Sequence, residues 1–130
     1  MKAIVVTDQA AGTAGMKLVE RPEPQAAIND VVVQVHASGF VGTELTWPST
    51  WTDRLNGDRT PTIPGHELAG VVTALGYGTT GLSIGQRVFG LTDWYRDGAL
   101  ASMWRLRPAI LRRCRATSTS LWARACRSRA

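Results

Sequence analysis

Gly65-His66-Glu67-Leu68-Ala69-Gly70-Val71-Val72 is the stretch that decides how this chain reads. Pro64 precedes it, and strand-like runs lie on both sides. Two adjacent ionisable side chains sit between glycines at a tight bend, and the chain then passes directly into a buried strand. A core gains nothing from polar groups at such a bend, so His66 and Glu67 point to a site.

Working outward, the same pattern of short strands repeats. Ala3 to Val6 is a β-branched first strand, and Met16 to Glu20 alternates as a second. Pro22 and Pro24 then interrupt regular pairing. In Val31-Val32-Val33-Gln34-Val35-His36-Ala37 the period of two puts Val31, Val33 and Val35 inward and Gln34 and His36 on the other face. Ser38 to Leu45 is a glycine-containing loop. Thr46 to Thr60 carries Trp47 and Trp51 and reads as irregular, with room for one short helix. Leu68 to Leu75 and Arg87 to Phe89 complete the strands. Short strands at this spacing, with almost no helical period, predict a mainly β fold: a small, partly open β-barrel.

Gly76-Tyr77-Gly78-Thr79-Thr80-Gly81 matches G-x-G-x-x-G after a strand. A dinucleotide fingerprint needs a helix next, because the helix N-terminus holds the pyrophosphate. Gly85 and the strand at Arg87 follow too soon for one. The run reads as a glycine-rich connection between strands, with no cofactor-binding residues.

Charge divides the chain near Gly98. Residues 1–98 hold seven Lys and Arg against ten acids, a net of −3. Residues 99–130 hold eight Arg, no Lys and no acid, a net of +8, and both cysteines, Cys114 and Cys126. The front portion therefore has neither a disulfide framework nor a cysteine-ligated metal. No apolar run approaches the roughly 18 residues of a membrane span, and the opening Met1-Lys2-Ala3-Ile4-Val5-Val6 is too short for a signal-peptide core. The expectation is a cytoplasmic protein with no membrane partner.

The segment Gly65-His66-Glu67-x-Ala69-Gly70-Val71-Val72, followed by Gly76, Gly78 and Gly85-x-Arg87-Val88, resembles the N-terminal region of the medium-chain dehydrogenase/reductase superfamily. Met1-Lys2-Ala3, the run from Asp30 to Gly39, and Asp97-Gly98-Ala99-Leu100-Ala101 match in kind and order, so the resemblance covers about residues 1–101. It implies a GroES-like domain over 1–101. In full-length members a Rossmann domain follows and binds NAD(P)H, and substrate is held between the two.

Zinc members of that superfamily carry a cysteine two residues before a Ser or Thr in the loop after the Val-rich strand. Here that position is Val41, before Thr43. A catalytic zinc needs three protein ligands, and Val41 offers none. The resemblance thus implies the zinc-independent, quinone oxidoreductase-like branch, with NADPH as cofactor and a small carbonyl, enone or quinone compound as substrate. This chain by itself is expected to be inactive and to leave NADPH unbound. A zinc-dependent alcohol dehydrogenase-like fragment is the alternative within the superfamily. The candidate catalytic residues are Thr43, His66 and Glu67. Each also has a plain structural reading: a loop turn for Thr43, a hydrogen-bonded histidine at the bend, and a buried acid capping backbone N–H groups. Trp47 and Trp51 read equally as substrate wall or core, and His36 as a strand-face residue without chemistry.

From Ser102 onward the sequence matches nothing in the superfamily. Its mixture of Arg, Ala, Ser, Trp and Cys is what GC-rich DNA gives when read out of frame. Met103 and Trp104 have one codon each, and in the offset frame they force a valine. The expectation is that 102–130 is an out-of-frame, disordered or irregular tail rather than a domain. Taken at face value, the eight Arg would instead make a basic nucleic-acid-binding arm on a non-enzymatic β-barrel. No specific nucleic-acid partner is expected, and the oligomeric state is open.

Overall fold

The computed structural model describes residues 1–106 and 111–113. Among the described residues two antiparallel sheets carry the fold. The smaller pairs β1 (Lys2–Val5) with β2 (Lys17–Glu20). The larger orders β6-β3-β4-β5-β7, built from β3 (Val31–Gly39), β4 (Glu67–Leu75), β5 (Arg87–Leu91), β6 (Met103–Leu106) and β7 (Leu111–Arg113). Its two ends are different strands, so the sheet does not close on itself among the described residues. This is the mainly β, partly open arrangement that the strand spacing predicted, and it agrees with the GroES-like domain that the resemblance implied. One short helix, α1 (Pro48–Trp51), lies in the segment expected to be irregular, with Pro48 in the first turn, where its missing N–H costs nothing.

The main core lies on one face of the larger sheet: Val31 and Val33 of β3, Leu68 and Val72 of β4, Val88 of β5, then Ala99 and Trp104. Gln34 and His36 are exposed, as the period of two required, but Val32 is buried along with its neighbours. A register shift falls between Val32 and Val33, where strict alternation against β4 breaks. Gly70 permits the closest approach of β3 and β4, since a Cβ there would lie 2.1 Å from the Gln34 carbonyl oxygen. A second cluster, of Val6, Leu45 and Trp51, packs the loop after β3 beneath the first strand. Trp51 is thus core, its indole N–H donating to the Leu45 carbonyl at 2.8 Å.

The G-x-G-x-x-G run is a turn-rich connection from β4 to β5. Gly78 and Gly81 both have φ of +81°, a turn conformation, and no helix follows.

An irregular chain was expected from residue 102, and here the fold differs. Met103–Leu106 pairs antiparallel with Val31–Gln34, and Leu111–Arg113 pairs with β5. The reason is local. β3 presents an open row of backbone donors and acceptors, and Trp104 has an apolar core to enter. Trp104 is 4% exposed, and its indole N–H reaches the Asp97 carbonyl at 2.5 Å. The rest of the expected disordered tail, 107–110 and 114–130, lies outside the described residues.

Candidate functional site

The bend at Gly65 is built from backbone. Its φ is +89°, and a Cβ there would stand 2.9 Å from Leu100 Cγ and 3.0 Å from Ser38 Oγ. Only glycine takes that conformation in that space without strain. Residues 98–100 run alongside: Ala99 N–H donates to the Gly65 carbonyl at 2.6 Å, and Leu100 N–H to the Pro64 carbonyl at 3.1 Å. The Gly65 N–H donates to Glu44 Oε2 at 2.9 Å.

His66 is thereby held inside the protein, 2% exposed. The β4–β5 register pairs Glu67 with Leu91, so the next rung sets His66 opposite Thr92. Thr92 N–H donates to the His66 carbonyl at 2.7 Å, and its hydroxyl is hydrogen-bonded with His66 Nδ1 at 2.8 Å. The other ring nitrogen, Nε2, faces Glu44 Oε2 at 3.9 Å. Trp94 tilts over the imidazole at 4.8 Å between ring centroids, and Trp47 meets Trp94 edge-on at 5.0 Å.

Burial sets the charges. Desolvation, helped by the nearby Arg59 guanidinium and opposed by Asp93, pushes the His66 pKa down to about 4. The imidazole is therefore neutral at physiological pH. Desolvation also raises the Glu44 pKa, against the lowering effect of the backbone hydrogen bond from Gly65. A neutral imidazole beside a reluctant carboxylate, walled by two indoles, forms a dry pair able to hold or pass one proton without a permanent ion pair.

The three residues singled out from sequence do not all converge. His66 lies at the centre. Glu67 begins β4 half-buried, and its carboxylate fills the space over Gly39, where a Cβ would lie 2.0 Å from Oε2. Thr43 faces outward on the 3₁₀ turn Gly42–Thr46, and its carbonyl accepts the Thr46 hydroxyl at 2.7 Å. The residue that reaches His66 from that turn is the next one, Glu44, 4% exposed. Glu44, Thr92 and Trp94 were missed from sequence. Thr92 was within reach, because pairing β4 with β5 at Glu67 and Leu91 puts it opposite His66. Glu44 gave no signal, since an acid in a Gly-Thr-Glu-Leu loop reads as solvated.

The donor set does not make a zinc site. Val41, at the position of the superfamily's cysteine, carries no donor and is 54% exposed. No group of three or more His, Cys, Asp or Glu among the described residues is placed to hold a metal ion. Nor do these residues form a dinucleotide cradle, since the one glycine fingerprint is the turn between β4 and β5. Among the described residues no helix is long and apolar enough to cross a membrane.

Fold and bend together define a GroES-like domain. Residues 27–110 match the family model of the alcohol dehydrogenase GroES-like domain, and the chain belongs to that family, within the medium-chain dehydrogenase/reductases. It is similar to the L-threonine 3-dehydrogenase of Saccharopolyspora erythraea, 40% identical over 93 residues that make up 69% of this chain and 25% of that protein. The enzyme of the same name from Ruegeria pomeroyi is 38% identical over 78 residues, 58% of this chain and 22% of that one. Among solved structures, the quinone oxidoreductase of Pseudomonas syringae superposes with a TM-score of 0.77 at 26% identity, covering 95% of this chain and 36% of that one. An alcohol dehydrogenase superfamily protein from Novosphingobium aromaticivorans gives 0.74 at 28%, covering 92% and 36%. The chain spans about a quarter of the length of the curated relatives it matches.

Proposed function

We propose that this chain is the substrate-side domain of an NADPH-dependent, zinc-independent oxidoreductase acting on a small quinone, enone or carbonyl compound in the cytoplasm. The observation that carries the reading is the His66 cluster. It offers a neutral imidazole, a buried acid and two indole faces, and a valine where a thiolate ligand would be needed. Flat, weakly polar conjugated carbonyls suit such walls, because the rings stack and one hydrogen bond orients the oxygen. In this reading His66 and Glu67 are the polar edge of the pocket, and Thr43, from its exposed turn, contributes a hydroxyl at the rim. The hydride chemistry belongs to the cofactor, for which the described residues offer no glycine-rich turn that opens a helix. The chain alone therefore shows neither turnover nor saturable NADPH binding.

Two titrations test this. The indole N–H signals of Trp94 and Trp47 are expected to shift saturably in an NMR titration with cyclohexenone, and Trp94→Ala to abolish the effect. A fluorescence titration with NADPH is expected to show no saturation. Absence of any enone-dependent shift, or tight NADPH binding, overturns the proposal.

The division at residue 101 and the out-of-frame origin of 102–130 belong to the same proposal. The acid-free composition of the last 32 residues supports it. The pairing of Met103–Leu106 asks only for a backbone and one buried indole. Sequencing the gene region tests it, and a conserved frame encoding this tail with no dehydrogenase sequence offset from it would refute it.

A further inference from the structure

On a different part of the surface, a cavity of about 630 Å³ opens between the segment 21–24, the 59–63 approach to the bend, the 95–97 turn and β6. None of His66, Glu44, Glu67, Thr92 or Trp94 lines it. Its size falls within the range of small-molecule sites. Four guanidinium-bearing residues line it: Arg21, Arg59, Arg96 and Arg105.

Three of the four are engaged. Arg96 Nη2 and Arg105 Nε share the buried Asp30 carboxylate, at 3.2 and 3.5 Å. Arg59 donates to the carbonyls of Ser49 and Trp94. Arg21 is different. Its backbone pairs with Met1, but its guanidinium has no hydrogen bond or ion pair among the described residues. Of the acids on the walls, Asp97 already accepts the Ile63 N–H at 3.1 Å, and Glu23 is exposed. Apolar surface completes the cavity through Pro22, Pro61, Ile63 and Trp104. Arg21 is a half-buried residue, and its uncommitted guanidinium in a cavity also lined by proline and indole surface offers a bidentate anchor and a greasy wall together.

We propose that this cavity is a binding site for an amphiphilic organic anion, an aromatic or aliphatic body bearing one carboxylate, with Arg21 as its anchor. The site is separate from the His66 cluster and does not depend on the function proposed for that cluster.

The test is calorimetric titration of the full chain with 2-naphthoate, with 2-naphthalenemethanol as the uncharged analogue and with inorganic phosphate. Saturable naphthoate binding is expected. Arg21→Gln is expected to weaken it about tenfold, the value of one charge-assisted bidentate contact. Arg21→Lys should restore part of the loss. Lys17→Gln, which removes an exposed charge outside the cavity, should leave affinity within about twofold. In each variant a retained melting transition confirms that the fold is intact. The proposal is overturned if naphthoate does not saturate, if Arg21→Gln and Lys17→Gln weaken binding equally, or if the alcohol or phosphate binds as tightly as naphthoate.

Discussion

Two acids in this chain are withdrawn from water to the same degree, and the protein treats them in opposite ways. The Asp30 and Glu44 side chains are each 5% exposed. Asp30 stands at the entrance to β3 between two guanidinium groups, and its carbonyl also accepts Gly76 N–H at 2.7 Å and the Thr79 hydroxyl at 2.9 Å. It is charge-compensated and fixes the β4–β5 connection against the start of β3. Among the described residues Glu44 has no cation beside it: it meets the backbone N–H groups of Gly65 and Val41, an imidazole that stays neutral and the like charge of Glu67, and burial raises its pKa. Asp30 behaves as a structural clamp, whereas Glu44 is left uncompensated where the fold places its one buried histidine. An uncompensated acid beside a neutral base is the arrangement that can exchange a proton.

The largest break in this contrast comes from the backbone beneath the clamp. A Cβ on Gly76 would stand 1.8 Å from the Ala27 carbonyl and 2.9 Å from that of Asp30, so Gly76→Ala should cost about 3 kcal/mol or more, read from urea melts. Gly65→Ala meets side-chain atoms at 2.9 and 3.0 Å and adds the strain of a φ of +89°, so it should be destabilising as well.

Next in size is the pH response. His66 is held with its pKa near 4 against an ordinary 6.5. The unfolded chain therefore binds the extra proton first. Stability from this group is complete above about pH 6.5 and falls as the pH drops to about 4, by on the order of 3 kcal/mol. Glu44, with its pKa raised, acts in the opposite sense: its contribution is present below pH 4.5 and fades as the pH rises through its folded-state value. His66→Asn should flatten the loss between pH 6.5 and 4 in thermal melts. An unchanged slope would place the titrating group elsewhere.

A direct comparison sharpens the two acids. Asp30→Asn should cost about 2 kcal/mol at pH 7, below the full value for a buried pair because Arg96 and Arg105 remain partly in water. Glu44→Gln keeps an acceptor for the Gly65 N–H and sheds a poorly solvated charge, so it should stay within about 1 kcal/mol. If Glu44→Gln proves the costlier, the contrast fails. The smallest effect belongs to Thr43→Ala, within about 0.5 kcal/mol, because that side chain is exposed. Any larger loss in substrate titration would then report contact rather than folding.

How much of this was legible follows from the range of the forces. The strands at Val31, Leu68 and Arg87 were readable because alternation and β-branching are local, and the bend was readable because only glycine suits the φ at Gly65. The rejection of the G-x-G-x-x-G run also needed only the spacing to the next strand. Trp104 was not readable as core, since the arginines around it hide the single indole that enters the core beside β3.

The amino-acid order alone determined the mainly β architecture, the family and the bend that carries His66, because period, turn chemistry and motif spacing are written along the chain. Tertiary structure decided which side chains meet His66. Glu44 lies 22 residues before it and Thr92 26 residues after, and only the folding of a loop and the registry of two strands removes all three from water together. That shared desolvation shifts the protonation of His66 and Glu44, and no linear pattern records it.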